Sequence, residues 1–279
     1  CPIFRNVRQA GTLDARGSRS MKIALVGYGK MGHMIEKAAL MRGHEVVCTV
    51  DPYAKDASCV TAVSEEMLKA IGDSGAEGII EFSHPASVTN NIFSLVPTGI
   101  PLVVGTTGWV DRLEEVRRLV DDTRTAFLYS SNFSVGVNLF YKMVSEAARL
   151  MAEFEEYDVA VFESHHNQKA DSPSGTGLDI ARRIMENLPR KTTLFTDSFT
   201  RRPEPSELHL ASVRVGSVPG THTVYFDSAA DTIELTHTAR TREGFALGAV
   251  RALEWLASPG PDGHARIGVY TMNDVFSEV

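Results

Sequence analysis

The stretch that most limits what this chain can become runs from Lys22 to Asp51. Lys22-Ile23-Ala24-Leu25-Val26 reads as a buried strand and leads directly into Gly27-Tyr28-Gly29-Lys30-Met31-Gly32. Apolar residues then recur at Met31, Met34, Ile35, Ala38 and Met41, a helical spacing that stops at Gly43. A second strand, Glu45 to Val50, ends on Asp51. Strand, G-x-G-x-x-G, helix, strand and acid, in that register, are the fingerprint of a dinucleotide site. The first glycine permits the tight turn, the second lets backbone approach a pyrophosphate, and the third lets helix pack on strand. Asp51, about twenty residues beyond the last glycine, is placed to accept the adenosine ribose hydroxyls. Gly27, Tyr28, Gly29, Lys30, Met31, Gly32 and Asp51 are therefore candidate cofactor-binding residues, for NADH, NADPH or both.

The alternation continues. Strands are expected over Gly78–Phe82, Pro101–Val104 and Ala126–Tyr129, with helices from Ser83-His84-Pro85 to about Val96 and from Trp109 to about Asp122. Repeated strand–helix units predict a doubly wound parallel sheet of the Rossmann type, whose ligand lies beyond the carboxyl ends of the strands. Gly105-Thr106-Thr107 and Ser130-Ser131-Asn132-Phe133 both fall at such ends. Either alone reads as a polar turn, but two on the expected edge favour contact with the nicotinamide half of the cofactor.

A long helix is expected from Val135 to about Phe154, crossing into a second domain. Strands over Glu207–Val215, Thr221–Asp227 and Asp231–Ala239, joined by short loops, predict an α+β domain on a mostly antiparallel sheet. Residues 189–206, rich in Pro, Thr and Arg, read as an exposed loop. A helix from Arg242 to Leu256 is expected to pack back on the nucleotide domain. The expected division is 21–131 with 241–279 for the dinucleotide-binding domain, and 132–240 for a substrate-binding and oligomerisation domain.

The chemistry concentrates in Glu163-Ser164-His165-His166-Asn167-Gln168-Lys169-Ala170-Asp171-Ser172-Pro173-Ser174-Gly175-Thr176. The strand Tyr157–Phe162 precedes it, and Leu178, Ala181, Ile184, Met185 and Leu188 predict a helix starting near Ser174. The cluster is therefore expected in a strand-to-helix loop. Two imidazoles, an ammonium and the N–H groups of a helix N-terminus suit a small carboxylate held by its charge and protonated as it reacts. Taken alone, the two histidines read equally well as solvated loop residues. A zinc site is disfavoured, because adjacent residues of a strand point to opposite sides and no nearby cysteine completes a ligand spacing. No metal is expected.

Composition closes off other classes. The chain has 279 residues, room for two domains, and a net charge of −7 with no Lys/Arg run, so no nucleic-acid partner is expected. No apolar run approaches the ~18 residues of a membrane span. Three scattered cysteines, Cys1, Cys48 and Cys59, form no disulfide framework. A cytoplasmic location is expected. Residues 1–20 lack the apolar core of a secretory signal and read as a disordered or vector-derived extension before a natural start at Met21, with an organelle-targeting leader as the alternative.

On these motifs the sequence resembles the 4-hydroxy-tetrahydrodipicolinate reductases, also called dihydrodipicolinate reductases, from Met21 to about Tyr270. The resemblance rests on Glu163-Ser164-His165-His166 with Lys169, Asp171 and Pro173-Ser174-Gly175-Thr176. Gly105-Thr106-Thr107-Gly108, Ser131-Asn132-Phe133-Ser134-Val135-Gly136-Val137-Asn138 and Arg214-Val215-Gly216 leading to Gly220-Thr221-His222 support it. It implies reduction of 4-hydroxy-tetrahydrodipicolinate by NAD(P)H in lysine and diaminopimelate biosynthesis. It further implies that His165 and Lys169 are the catalytic acid/base and proton donor, that His166, Gly175 and Thr176 hold a small dicarboxylate, and that the Gly-Thr-Thr and Ser-Ser-Asn-Phe turns touch cofactor. A cytoplasmic homotetramer built through the C-terminal sheet is implied as well.

Two departures bear on nucleotide choice. Many relatives have a glycine loop one residue longer, and many carry Arg where this chain has Pro52. They lead to an expectation of NADH at least equal to NADPH. Arg242 reads equally as a ligand contact or a surface residue. The competing readings are another two-domain NAD(P) oxidoreductase and an NAD(H)-sensing regulator without turnover. Neither calls for a His-His-x-x-Lys cluster before a Pro-Ser-Gly-Thr helix start.

Overall fold

The computed structural model describes residues 20–277; the extension expected ahead of Met21 lies, up to residue 19, outside them. In chain order the elements are β1 (Lys22–Val26), α1 (Lys30–Met41), β2 (Glu45–Val50), α2 (Ser64–Ser74), β3 (Gly78–Glu81), α3 (Pro85–Leu95), β4 (Leu102–Val104), α4 (Leu113–Thr123) and β5 (Ala126–Tyr129). Then follow α5 (Val135–Met151), β6 (Asp158–His165), α6 (Gly175–Asn187), β7 (Thr193–Phe195), β8 (Glu207–Arg214), β9 (Thr221–Asp227), β10 (Thr232–Thr238), α7 (Glu243–Ala257), β11 (Gly268–Thr271) and α8 (Met272–Ser277). They form two units, one reaching Ser134 and resuming at Phe245, the other spanning Val135–Gly244.

The first unit holds a six-stranded sheet in the order β11-β5-β4-β3-β1-β2. Every pairing in it is parallel. Strands covered by helices on both faces need continuous apolar runs rather than alternation, and Ile23, Ala24, Leu25 and Val26 are all buried. The chain leaves β1 for β2 on one side and returns to β3 on the other, so the strand order reverses at β1. That reversal is where open parallel sheets bind ligand. The helix α2, which periodicity alone had not marked, buries Met67 and Ile71, four residues apart, and ends at Gly75 with φ +68°. The body of α7 is fastened to this unit. Leu253 lies so near Gly78 that a Cβ there would stand 2.8 Å from it. Glu254 accepts two hydrogen bonds of 2.6 Å from Arg42 and lies 2.7 Å from His44 Nε2.

The second unit carries a five-stranded sheet in the order β10-β9-β6-β8-β7. It is mixed: β9 runs antiparallel to β10 and β6, whereas β8 runs parallel to β6 and β7. The stretch expected as an exposed loop supplies the three-residue β7, too short to show a period. Along β6, Val159, Val161, Glu163 and His165 alternate inward. Helices α5 and α6 cover that face, where Phe140, Val144, Ile180, Ile184, Leu210, Val224 and Phe226 form the core.

Candidate active site

The histidine cluster starts inside a strand rather than in a loop. Pairing with β8 and β9 carries β6 as far as His165, because His165 aligns with Arg214 and Ser164 with Thr221. Glu163 and His165 therefore face inward together, and Glu163 aligns with His222 of β9 on the same face. The loop proper is residues 166–174.

Glu163 is 0 % exposed in its side chain. Its Oε1 accepts the Ser174 N–H at 2.9 Å and an Arg214 Nη2 donor at 3.1 Å. Its Oε2 accepts the Ser174 hydroxyl, and His222 Nε2 stands 3.4 Å away. Burial works to raise the Glu163 pKa, but hydrogen bonds from His222, Ser174 and Arg214 overcome it and hold the carboxyl far below the usual range. Ser174 is also the N-cap of α6, its Oγ accepting the Gly177 N–H at 3.0 Å. Gly177 is required there, since a Cβ would lie 2.6 Å from Glu163 Oε2.

Burial pushes the His165 pKa down to about 4. The Glu163 charge opposes that shift, while His222, Arg214 and Lys169 add to it. Its Nδ1 is buried without a hydrogen-bond partner, 3.7 Å from Glu163 Oε1. On its other side Gly220 comes so close that a Cβ would stand 3.1 Å from Nε2. The ring meets that of His222 edge-on at 5.1 Å.

Lys169 Nζ pairs with Asp171 at 2.8 Å. The loop is tied down by the Lys169 N–H to the His166 carbonyl at 3.1 Å and the Asn167 N–H to the Gly216 carbonyl at 3.1 Å. His166 is half-buried and Gly175 exposed. Thr176 shares a hydrogen bond with Tyr141, whose hydroxyl is held high in pKa by burial. His165, His166, Lys169, Gly175 and Thr176 thus all belong to the junction of β6, its loop and the start of α6. Glu163, Arg214 and His222 complete it from three strands. In the sequence all three lie within the motifs that carry the family resemblance, but with no role attached to them.

Among the described residues, Glu163, His165 and His222 bring ligand-type atoms within 4.8 Å of one another. Both Glu163 oxygens already accept N–H or O–H donors and a guanidinium lies against one of them, so the trio reads as a hydrogen-bond network.

On the first unit, Gly27, Asp51, Gly105 and Ser130 follow the carboxyl ends of β1, β2, β4 and β5. Gly27 has φ +94°, and a Cβ there would stand 2.1 Å from the Phe82 carbonyl oxygen. A Cβ at Gly32 would lie 2.5 Å from the Gly27 carbonyl, while Gly29 faces open space. Burial works to raise the Asp51 pKa, yet N–H donors from Tyr28 at 2.8 Å, Tyr53 at 2.7 Å and Ala54 at 2.9 Å hold it below the usual range. An ionised Asp51, a glycine turn no side chain could occupy and an exposed Gly29 fit a dinucleotide.

Several candidates there turn their side chains away. The Tyr28 ring is buried, stacks on His33 at 4.1 Å, and gives its hydroxyl to Glu36. Thr106 is buried. Phe133 is buried against Phe82 at 5.6 Å. Lys30, Thr107 and Ser131 are exposed, and Met31 and Asn132 partly so. A further acid is buried on this unit. Glu81, at the end of β3, is 0 % exposed, and its Oε1 accepts from the Ser83 hydroxyl and from Asn91 Nδ2. Burial pushes its pKa up. No helix among the described residues is long and apolar enough to cross a membrane.

Comparison with known proteins agrees along the whole described chain. Residues 21–133 match the family described as dihydrodipicolinate reductase, N-terminus, and residues 136–276 match dihydrodipicolinate reductase, C-terminus. A 4-hydroxy-tetrahydrodipicolinate reductase of Christiangramia forsetii is 38 % identical over 259 residues, covering 93 % of this chain and 99 % of that protein. The Archaeoglobus fulgidus enzyme of the same name is 36 % identical over 264 residues, covering 91 % and 99 %. In fold, the chain is similar to a dipicolinate-bound dihydrodipicolinate reductase from Paenisporosarcina sp. TG-14, with a TM-score of 0.69 at 21 % identity over 92 % of this chain and 100 % of that one.

Proposed function

This chain belongs to the dihydrodipicolinate reductase family, and from that premise we propose that it reduces 4-hydroxy-tetrahydrodipicolinate with NAD(P)H, in lysine and diaminopimelate biosynthesis, through the junction of β6 and α6. The observation that carries the reading is the buried Glu163 carboxylate, which accepts from the N-cap of α6, lies 3.7 Å from His165 Nδ1 and is tied through Arg214 to the Lys169 carbonyl.

The first unit holds the nucleotide: Gly27 to Gly32 cradle its pyrophosphate, Asp51 its adenosine ribose, and the turns at Gly105–Thr107 and Ser130–Phe133 its nicotinamide end. Bound there, a reduced nicotinamide would supply hydride to the conjugated cyclic imine that forms as the 4-hydroxyl of the substrate leaves as water. The second unit does the rest. The N–H groups at Gly175 and Thr176 and the side chains of His166 and Lys169 receive the substrate carboxylates, offsetting the net charge of −7. Lys169 supplies the proton that completes the reduction. His165, neutral in the free chain at neutral pH, is drawn toward its protonated form by the arriving dianion and so assists as acid only with substrate in place.

Nucleotide preference falls to NADH at least equal to NADPH. The ionised Asp51 accepts ribose hydroxyls, whereas a 2′-phosphate would bring a like charge beside it. Assembly is assigned to the face of the second sheet turned away from α5 and α6, where Phe162, Ala211, Val213 and Tyr225 alternate with the inward set. Four copies would bury it, and sedimentation tests that number. The free thiols Cys48 and Cys59 accord with a cytoplasmic setting.

The deciding assay follows NAD(P)H oxidation on addition of freshly prepared synthase product. Oxidation that depends on that product supports the reading, and its absence with both nucleotides rejects it.

A further inference from the structure

Glu163 joins four segments of the chain at one carboxylate. Through Ser174, whose N–H and hydroxyl both donate to it, Glu163 holds the cap of α6. Through Arg214 it holds the loop: Arg214 Nη2 donates to Glu163 at 3.1 Å and to the Asp171 carbonyl, and Nε donates to the Lys169 carbonyl at 3.3 Å. The remaining amino group, Nη1, donates to the Val213 carbonyl at 2.9 Å. Arg214 therefore spends four of its five N–H donors within the protein and works as a brace.

We propose that Glu163 is a positioning residue for the substrate carboxylates: it touches no substrate, but fixes the Ser174-capped N-terminus of α6 and the Lys169–Asp171 turn in the one mutual arrangement that receives a dicarboxylate. The proposal rests on the reading of this junction as the dicarboxylate site. It accounts for two otherwise unfavourable features. A buried carboxylate beside an anion site repels the ligand, and Arg214 offsets that charge at the point of contact. Gly177 sits where any side chain would push the carboxylate aside, a Cβ lying 2.6 Å from Oε2.

The sign of one measurement separates positioning from plain charge. Removing a negative group near an anion site should tighten the ligand if charge were its whole effect; losing the scaffold should weaken it. Pyridine-2,6-dicarboxylate is titrated calorimetrically into the nucleotide-saturated full chain. Glu163→Gln is expected to weaken it by about ten-fold or more, the scale of a lost hydrogen bond to a charged group. The substrate KM should rise in parallel, with a smaller change in kcat and unchanged nucleotide affinity. Glu163→Asp, with the same charge on a shorter arm, should weaken it as well. Equal or tighter binding in Glu163→Gln overturns the proposal.

Should Glu163→Gln not fold, Gly177→Ala decides. It changes no charge, and the atom its Cβ meets too closely is Oε2 of Glu163, so weakened binding supports positioning and wild-type affinity overturns it. A wild-type chain that fails to bind the dicarboxylate removes the underlying reading, and the proposal with it. A wild type that binds while the variants match it overturns the proposal alone.

Discussion

Lys169 Nζ lies 2.8 Å from Asp171 Oδ1, an ion pair with side chains 26 % and 55 % exposed. On the proposed reading, a substrate carboxylate takes that ammonium from Asp171. Exposed pairs contribute only ~0–1 kcal/mol, so the exchange is cheap and the lysine stays available.

Lys169→Ala should cut turnover by about two to four orders of magnitude, the usual range for loss of acid–base help, with nucleotide affinity unchanged. Asp171→Asn should tighten pyridine-2,6-dicarboxylate by no more than about five-fold, the equivalent of one exposed pair. Steady-state rates and ligand titration measure both. Near-normal turnover in Lys169→Ala would sink the assignment.

His165 titrates near 4 in the free chain, with Glu163, His222, Arg214 and Lys169 as its charged and titratable neighbours. A bound dianion stabilises the imidazolium, so the complex holds a proton that the free chain does not. Binding of pyridine-2,6-dicarboxylate at about pH 6 should therefore take up a proton. Calorimetry in buffers of different ionisation enthalpy reads that uptake directly. It should vanish in His165→Gln, with reduced turnover. No uptake in the wild type would mean that His165 stays neutral.

The carboxyl of Glu81 is held above its ordinary pKa by burial. Above about pH 4.3 the unfolded chain releases this proton while the folded chain keeps it, so this group's contribution to stability falls as pH rises toward the folded-state value. Glu81→Gln keeps an acceptor for Ser83 and Asn91 and removes that loss. Its Tm relative to wild type should climb from about pH 4 to 7. A pH-independent difference would show that Glu81 is ionised in the folded chain.

For the nucleotide, a 2′-phosphate at ~4 Å from Asp51 meets a repulsion of about 4 kcal/mol at an effective dielectric of ~20. Pro52 offers neither charge nor N–H, and His33 is engaged with Asp56 at 2.8 Å. Lys30, within the glycine loop, and Lys55, just beyond Pro52, are both exposed. Comparing kcat/KM for the two nucleotides tests the preference for NADH. A strong NADPH preference that collapsed in Lys30→Ala or Lys55→Ala would overturn it and identify the offsetting cation.

Much of the first unit was legible before any coordinates. Gly27, Gly32 and Asp51 belong to one short strand–turn–helix–strand segment, and local backbone sterics dictate which residues such a turn accepts. The start of α6 was legible for the same reason, since a serine before a helical repeat caps its own N–H groups. Elements with weak or brief patterns escaped: α2 buries only two residues in eleven, and β7 and β11 span three and four. The cluster that holds the candidate pair His165 and Lys169 could be singled out by residue type, and the roles of the two came from the family resemblance.

What surrounds that pair could not. Glu163 meets His222 because β9 runs antiparallel to β6 in one particular register, and His165 lies beside Arg214 because β8 runs parallel to it. Shifting either register by one residue would turn every one of these side chains to the opposite face. The sequence alone determined where the chain turns, where its helices begin and which residue types carry charge. Only the tertiary structure decided which charges share a site, because strand partners far apart in sequence are chosen by the packing of the whole sheet.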